Sequence, residues 1–326
     1  MNIAVLVYAQ PRFINLSYKR LKEEYDIPGA NVDFFIHFWE DVGFSPACDK
    51  TANYITYNNL QEYIEYINPK KYKIEDYKEL DELVFLLKNT KSYILNDKVK
   101  SKNVRLKDRY EYGQWFSHKK AYLLMEEYEK ENNMQYDLVI KTKTDYIYKR
   151  TDKEKQYIIP KKYLKEKVSL VSNIQTRYFF AEQTHHDETI SKRLQEFIPN
   201  KTIETRLINC NFYRLKVDDI NMVATRSAAY NLYNNWVETY LQCLTWEKNN
   251  KIKEHQQIYF RQDILFGYTA ILNNITLLKK PRNYIRLYTK NSCKKSWVTN
   301  RADISIDVSD FKDYNDLDKS LTAVLV

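Results

Sequence analysis

Residues Ile3 to Tyr8 form an unbroken apolar run, and three of them, Ile3, Val5 and Val7, are β-branched. A strand that is apolar on both faces belongs inside a parallel sheet, with helices above and below it. The next three segments meet that demand. Ile14–Tyr25 (INLSYKRLKEEY) has helical spacing, Asn31–Trp39 (NVDFFIHFW) is a second apolar run, and Asn53–Tyr57 (NYITY) is read as a third strand. A β-α-β opening of this kind selects an α/β fold over a helical bundle.

The pattern continues in the same style. Asp76–Asn96 is helical, with Leu80, Val84, Leu87 and Ile94 near one stripe. A second helix, expected over Gly113–Asn132, carries Ala121, Leu124, Met125 and Tyr128 on its apolar side, with Ser117 and Lys120 one turn earlier. Further on, Tyr157–Ile159 and Val168–Ser172 are short strand candidates. A strand is expected near Asn221–Ala224, then helices near Ser227–Leu244 and Gln256–Asn274, and a strand in ITLLKK from Ile275. With no repeat and no low-complexity linker, the simplest division is one domain over residues 1–280 and a C-terminal extension over 281–326.

Composition adds bounds. The chain has 326 residues, 29 Tyr and only 4 Gly. Lys, Asn, Ile and Tyr are enriched throughout, which is the mark of a nucleotide-composition bias and removes any weight from tyrosine abundance. The net charge of +9 permits polyanionic partners, but basic and acidic residues alternate, as in Lys73–Glu82, so no basic tail stands out. Cys48, Cys210, Cys243 and Cys293 have no paired spacing and read as reduced thiols. The apolar start is too short for a signal peptide, and no stretch reaches the length of a membrane span. A cytoplasmic protein without a transmembrane segment is expected.

The most informative stretch is Tyr136–Tyr148, YDLVIKTKTDYIY. If it stays a regular strand, Lys141, Lys143 and Asp145 share one face and Thr142 and Thr144 the other. Ligands collect at the carboxyl ends of strands in open α/β sheets. A carboxylate there, flanked by cations, is suited to holding a divalent metal against a diphosphate. The same spacing also describes a solvated ladder of charges. Gln10 and Arg12 follow the first strand, either at a ligand or simply on the surface. His37, Trp39 and Asp41 share a face at the end of the second strand. Trp39 reads as core, and His37 and Asp41 stay open between core packing and contacts to a base or ribose.

Four segments together resemble a group of glycosyltransferases from bacteria and viruses, of the polysaccharide or lipopolysaccharide type. VYAQPRF is similar to its G-Q-P-R opening, VDFFIHFWED to its V-D-x-F-I-H-x-W strand, and YDLVIKTKTD to its YD-x-V-I-R-x-R-x-D motif. FRQDILFGYTAILNNIT resembles its P-E-x-L-x-x-x-L-x-x-N-x-I segment, and the four stand in the family's order. The resemblance implies a GT-A-like, Rossmann-like fold: a mixed, mostly parallel sheet flanked by helices. It implies a nucleotide-diphosphate sugar donor and a glycan or glycolipid acceptor. Tyr8, Gln10, Arg12, His37, Asp41, Ser117, Lys120, Lys141 and Lys143 would bind the nucleotide sugar. Asp145 would hold Mn²⁺ or Mg²⁺, and Asp263, standing where the family has Glu, would be the catalytic base, with Asp218 and Asp219 as competitors. Asp263 equally suits the opening of a helix, where an acid favours the dipole. Three departures are plain: Lys143 replaces the first Asp of a D-x-D, Lys141 and Lys143 replace arginines, and Ala9 replaces the opening glycine. Lysine keeps the charge but loses the planar fork.

Other chemistries find no support. His185-His186-Asp187-Glu188 cannot converge on one ion from adjacent positions and reads as a polar loop. There is no G-x-S-x-G, and glycine is too rare for phosphate-cradling loops. The alternative to a transferase is a non-enzymatic basic α/β protein that binds nucleic acid.

Overall fold

The computed structural model describes residues 1–27, 29–40, 60–96, 106–148, 178–181, 222–249, 262–273, 275–279, 284–288, 304–307, 311 and 314–318. The segments read as strands at Asn53–Tyr57, Tyr157–Ile159 and Val168–Ser172 lie outside these residues, as do Asp41, Asp218, Asp219 and the His185–Glu188 loop. So do Cys48, Cys210 and Cys293, whereas Cys243 is buried and in no disulfide.

The molecule is an α/β structure around a mixed, mostly parallel sheet. Strands β1 (Asn2–Ala9), β2 (Asn31–Trp39), β3 (Lys71–Glu75), β4 (Leu138–Thr142), β6 (Tyr178–Ala181), β7 (Met222–Thr225) and β8 (Thr276–Lys279) lie in the order β3-β2-β1-β4-β7-β6-β8. β3, β2, β1 and β4 run parallel, and β7 runs opposite to both of its neighbours. The apolar opening run becomes β1, and its alternation feeds two cores. Ile3, Val5 and Val7 pack on helices α1 (Ile14–Glu24) and α2 (Leu60–Ile67). Ala4, Leu6 and Tyr8 face the larger core under α3 (Tyr77–Leu95) and α4 (Leu106–Asn132). That second layer also contains a short helix α5 (Arg226–Ala229), which runs into a π-helical turn (Tyr230–Asn234), then α6 (Trp236–Asn249) and α7 (Gln262–Leu272).

Two expectations change. The strand read across Tyr136–Tyr148 is two: β4 stops at Thr142, and after a turn β5 (Tyr146–Tyr148) joins a separate small sheet. There β5 pairs antiparallel with β9 (Tyr284–Tyr288), which pairs parallel with β10 (Ile304–Asp307). The helix read over Ser227–Leu244 starts at Arg226 and is interrupted by the π-helical turn before α6. Leu287 and Leu317 pack against Leu16 and Ile147, which ties β9 and the described residues 314–318 to α1 and β5. Among the described residues, no helix is long and apolar enough to cross a membrane.

Candidate functional site

Chain connections run outward from β1 through β2 to β3 and then jump to β4 on the other side of β1. That reversal is a topological switch point, and the crevice beyond the carboxyl ends of its two strands is where open α/β sheets take ligands. The residues at those two ends are Tyr8-Ala9-Gln10 and Lys141-Thr142-Lys143. Helix α4 crosses the same region.

On the β4 side the expected alternation holds for the lysines. Lys141 is fully buried, with its Nζ 4.1 Å from the Phe266 ring centroid and 4.9 Å from that of Tyr8. Lys143 is 9% exposed, lies 5.6 Å over the same tyrosine ring, and donates to Gln114 Oε1 at 2.8 Å. Tyr8 therefore forms a wall between the two strand ends. Phe266 belongs to α7, so the helix that begins with Gln262 and Asp263 packs beside Lys141. The side chain of Asp263 lies outside the described residues.

Asp145 sits in the turn after β4 and is partly exposed. Its carboxylate makes no hydrogen bond or ion pair among the described residues, while its carbonyl accepts from Leu287 N–H at 3.0 Å. The preceding Thr144 donates to the carbonyl of Gln10 at 3.4 Å, which seats this turn beside the end of β1. Gln10 in turn donates to the Tyr77 hydroxyl at 2.6 Å and accepts from Arg12. No group of three or more His, Cys, Asp or Glu side chains gathers as a metal site among the described residues. A divalent cation clamped to a phosphate takes only one or two protein carboxylates, and among the described residues at this strand end Asp145 could supply one.

The β2 side is a closed network. Ser117 of α4 is fully buried; its Oγ accepts from Ala9 N–H at 2.6 Å and lies 2.9 Å from both His37 Nδ1 and the His37 carbonyl. His37 is also fully buried, and its Nε2 lies 2.8 Å from Glu75 Oε2 on β3. Burial pushes the His37 imidazole down, against the pull of Glu75. For Glu75, burial pushes upward, but hydrogen bonds from His37, Lys120 and Lys73 outweigh it and hold the carboxyl well below the usual range. Nε2 therefore carries the proton toward an ionised Glu75, and Nδ1 and the His37 carbonyl compete for the serine proton. Lys120 pairs with Glu75 and, at 3.0 Å, with Glu79, and it lies 5.6 Å over the Trp39 ring. Ser117, His37 and Lys120 are thus tied to strand ends β1, β2 and β3, whereas Lys141 and Lys143 gather over the Tyr8 ring. Trp39 is buried as expected, donating to the Gly113 carbonyl at 2.8 Å.

Sequence reading missed Glu75, Gln114 and His118. Glu75 closes a short strand of charged residues and gives no signal. His118 does give one, since it stands three and seven residues before Ala121 and Met125 on the apolar side of α4. It is fully buried, and neither ring nitrogen has a partner among the described residues, at a cost of about 1–3 kcal/mol per unbonded group. Burial, with Lys141 and Lys143 nearby, pushes its imidazole well below the ordinary value. No family model matches the chain, and no curated protein compared with it does.

Proposed function

We propose that the protein is a GT-A-like glycosyltransferase that moves a sugar from a nucleotide diphosphate to a hydroxyl of a glycan or glycolipid. One observation carries this reading: the switch point between β1 and β4 gathers two enclosed lysines, Lys141 and Lys143, beside a turn whose Asp145 carboxylate is unengaged among the described residues. Ammonium groups in a site shielded from water stabilise charge on a departing diphosphate far better than they would in solvent. Asp145 would hold a divalent cation, which adds Lewis-acid stabilisation of the same leaving group.

The acceptor oxygen attacks the anomeric carbon while the bond from that carbon to the phosphate oxygen breaks, and the electron pair leaves with the nucleoside diphosphate. In an inverting reaction Asp263 takes the acceptor proton. Gln10 and Arg12, hydrogen-bonded to each other and through Gln10 to Tyr77, suit the nucleotide end of the donor. Ser117, His37 and Lys120 position the strand ends.

The test is a thermal-shift screen of UDP, GDP, CMP and their sugars, with and without Mn²⁺, followed by a turnover assay with the donor that binds. Saturable stabilisation by one nucleotide is expected. Binding only to nucleic acid, with a steep salt dependence, would replace this reading with the rival one. Asp145→Asn is expected to keep the unfolding midpoint and to lower kcat by about 100-fold or more, the scale of losing one preorganised electrostatic group. Unchanged turnover removes Asp145 from the site.

A further inference from the structure

His118 has no part in the reaction described above, yet its surroundings do not explain it. Its ring is enclosed by Trp115 at 5.0 Å, Tyr8 at 5.6 Å and both Tyr233 and Phe266 at 5.8 Å, centroid to centroid. Leucine or phenylalanine would suit these walls better, because neither brings a nitrogen that goes unbonded. Tyr233 repeats the anomaly: its hydroxyl is buried and has no hydrogen-bond partner among the described residues. Both groups belong to the same buried cluster as Lys141 and Lys143, joined to it through two shared aromatic rings. Tyr8 touches His118 and underlies both ammonium groups, and Phe266 touches His118 and Lys141.

The chemistry of the set is specific. A neutral imidazole offers one N–H donor, a phenol one O–H donor, and each lysine a positive charge. Donors and charges enclosed together match a compact oxyanion with several acceptor oxygens. Exposure rises from Lys141, at 0%, through Lys143, at 9%, to the partly exposed Asp145, so an anion would enter from the Asp145 side.

We infer that His118 and Tyr233 form the inner end of an anion site, donating N–H and O–H to oxygens of a phosphate group whose charge is met by Lys141 and Lys143. The inference rests on the transferase reading for the identity of that phosphate, as part of the donor diphosphate. The anion site itself stands apart from that reading.

Inorganic pyrophosphate and inorganic phosphate are the probes, titrated into the full chain by calorimetry and by thermal shift. His118→Leu is expected to raise the midpoint without ligand by about 2 °C or more, since an unbonded polar group is removed, and to weaken pyrophosphate binding by about tenfold. His118→Gln, which keeps an N–H, is expected to retain binding within about threefold, and Tyr233→Phe to weaken it by about threefold to tenfold. A merely structural histidine predicts the opposite for leucine: a lower midpoint and unchanged pyrophosphate affinity. Either of those results overturns the assignment, as does a wild-type chain that binds no pyrophosphate. If His118→Leu fails to fold, Tyr233→Phe decides, and unchanged binding there is equally fatal. Should the pyrophosphate effects appear while no nucleotide sugar turns over, the transferase reading falls and the anion site remains.

Discussion

At the residue scale, Ala9 records a compromise. It has φ of 84°, a left-handed conformation that costs a residue with a Cβ about 1–2 kcal/mol. Its N–H is captured by Ser117 Oγ at 2.6 Å, which keeps the end of β1 in place against that strain. Glycine, which has no Cβ, adopts this conformation without that cost. Ala9→Gly relieves the strain and loses about 0.5–1 kcal/mol to the greater freedom of the unfolded chain. The expected net is a stabilisation of about 0.5–1 kcal/mol, read as a higher urea midpoint at unchanged m-value. A lower midpoint would mean that the alanine methyl packs usefully.

At the element scale, α4 is the hub. Through Ser117 it holds β1 and β2, through Lys120 it reaches β3, and through Gln114 it meets the end of β4. Its far end is held by Glu129, which accepts from Tyr136 N–H at 2.9 Å and from Arg226 at 2.7–3.0 Å. Both side chains are largely buried, so Glu129→Ala leaves the guanidinium only Glu126, at 3.4 Å, and the Tyr122 hydroxyl, and is expected to cost about 3 kcal/mol by chemical denaturation. Pairing it with Arg226→Met should restore part of the loss, as a double-mutant cycle would reveal. Elements were legible where one period dominates. The uninterrupted apolar runs of β1 and β2 and the leucine stripe of α3 stand in the sequence much as they fold. β3 was not legible, because KYKIE is a sheet-edge strand in which Glu75 alone is buried. The break after β4 was hidden for a different reason: YIY has the composition of a strand, and only its pairing with β9 reveals a second sheet. At the site, the cations and the aspartate were visible as charges in an apolar run. The Ser117–His37–Glu75 network joins three elements by long-range contacts, which no local pattern encodes.

At the scale of the whole molecule, two buried imidazoles set the response to acid. His37 and His118 are both pushed below their ordinary value of 6.5, chiefly by burial. The unfolded chain then binds protons that the folded chain refuses, so stability is complete above that value and declines as pH falls below it. The slope is at most about 1.4 kcal/mol per pH unit for each histidine. A midpoint that is flat from pH 8 to 7 and drops steadily below about 6 is expected. The depressed Glu75 has the same sign and adds its loss only at far lower pH. His118→Leu should flatten the upper part of this profile. A second global expectation concerns the small sheet. Leu287→Asp places a charge among Leu16, Ile147 and Leu317. It is expected to speed amide exchange across Tyr146–Tyr148 by about tenfold or more while leaving β1 amides protected. Equal exchange in both strands would show that the small sheet and the large one open as a unit.

The bond from Leu287 N–H to the Asp145 carbonyl has a bearing on biosynthesis. A polypeptide emerging from the ribosome can assemble β1 to β4 well before residue 287 has been added. Its aspartate-bearing turn must then wait, unfastened, for a strand made more than a hundred residues later.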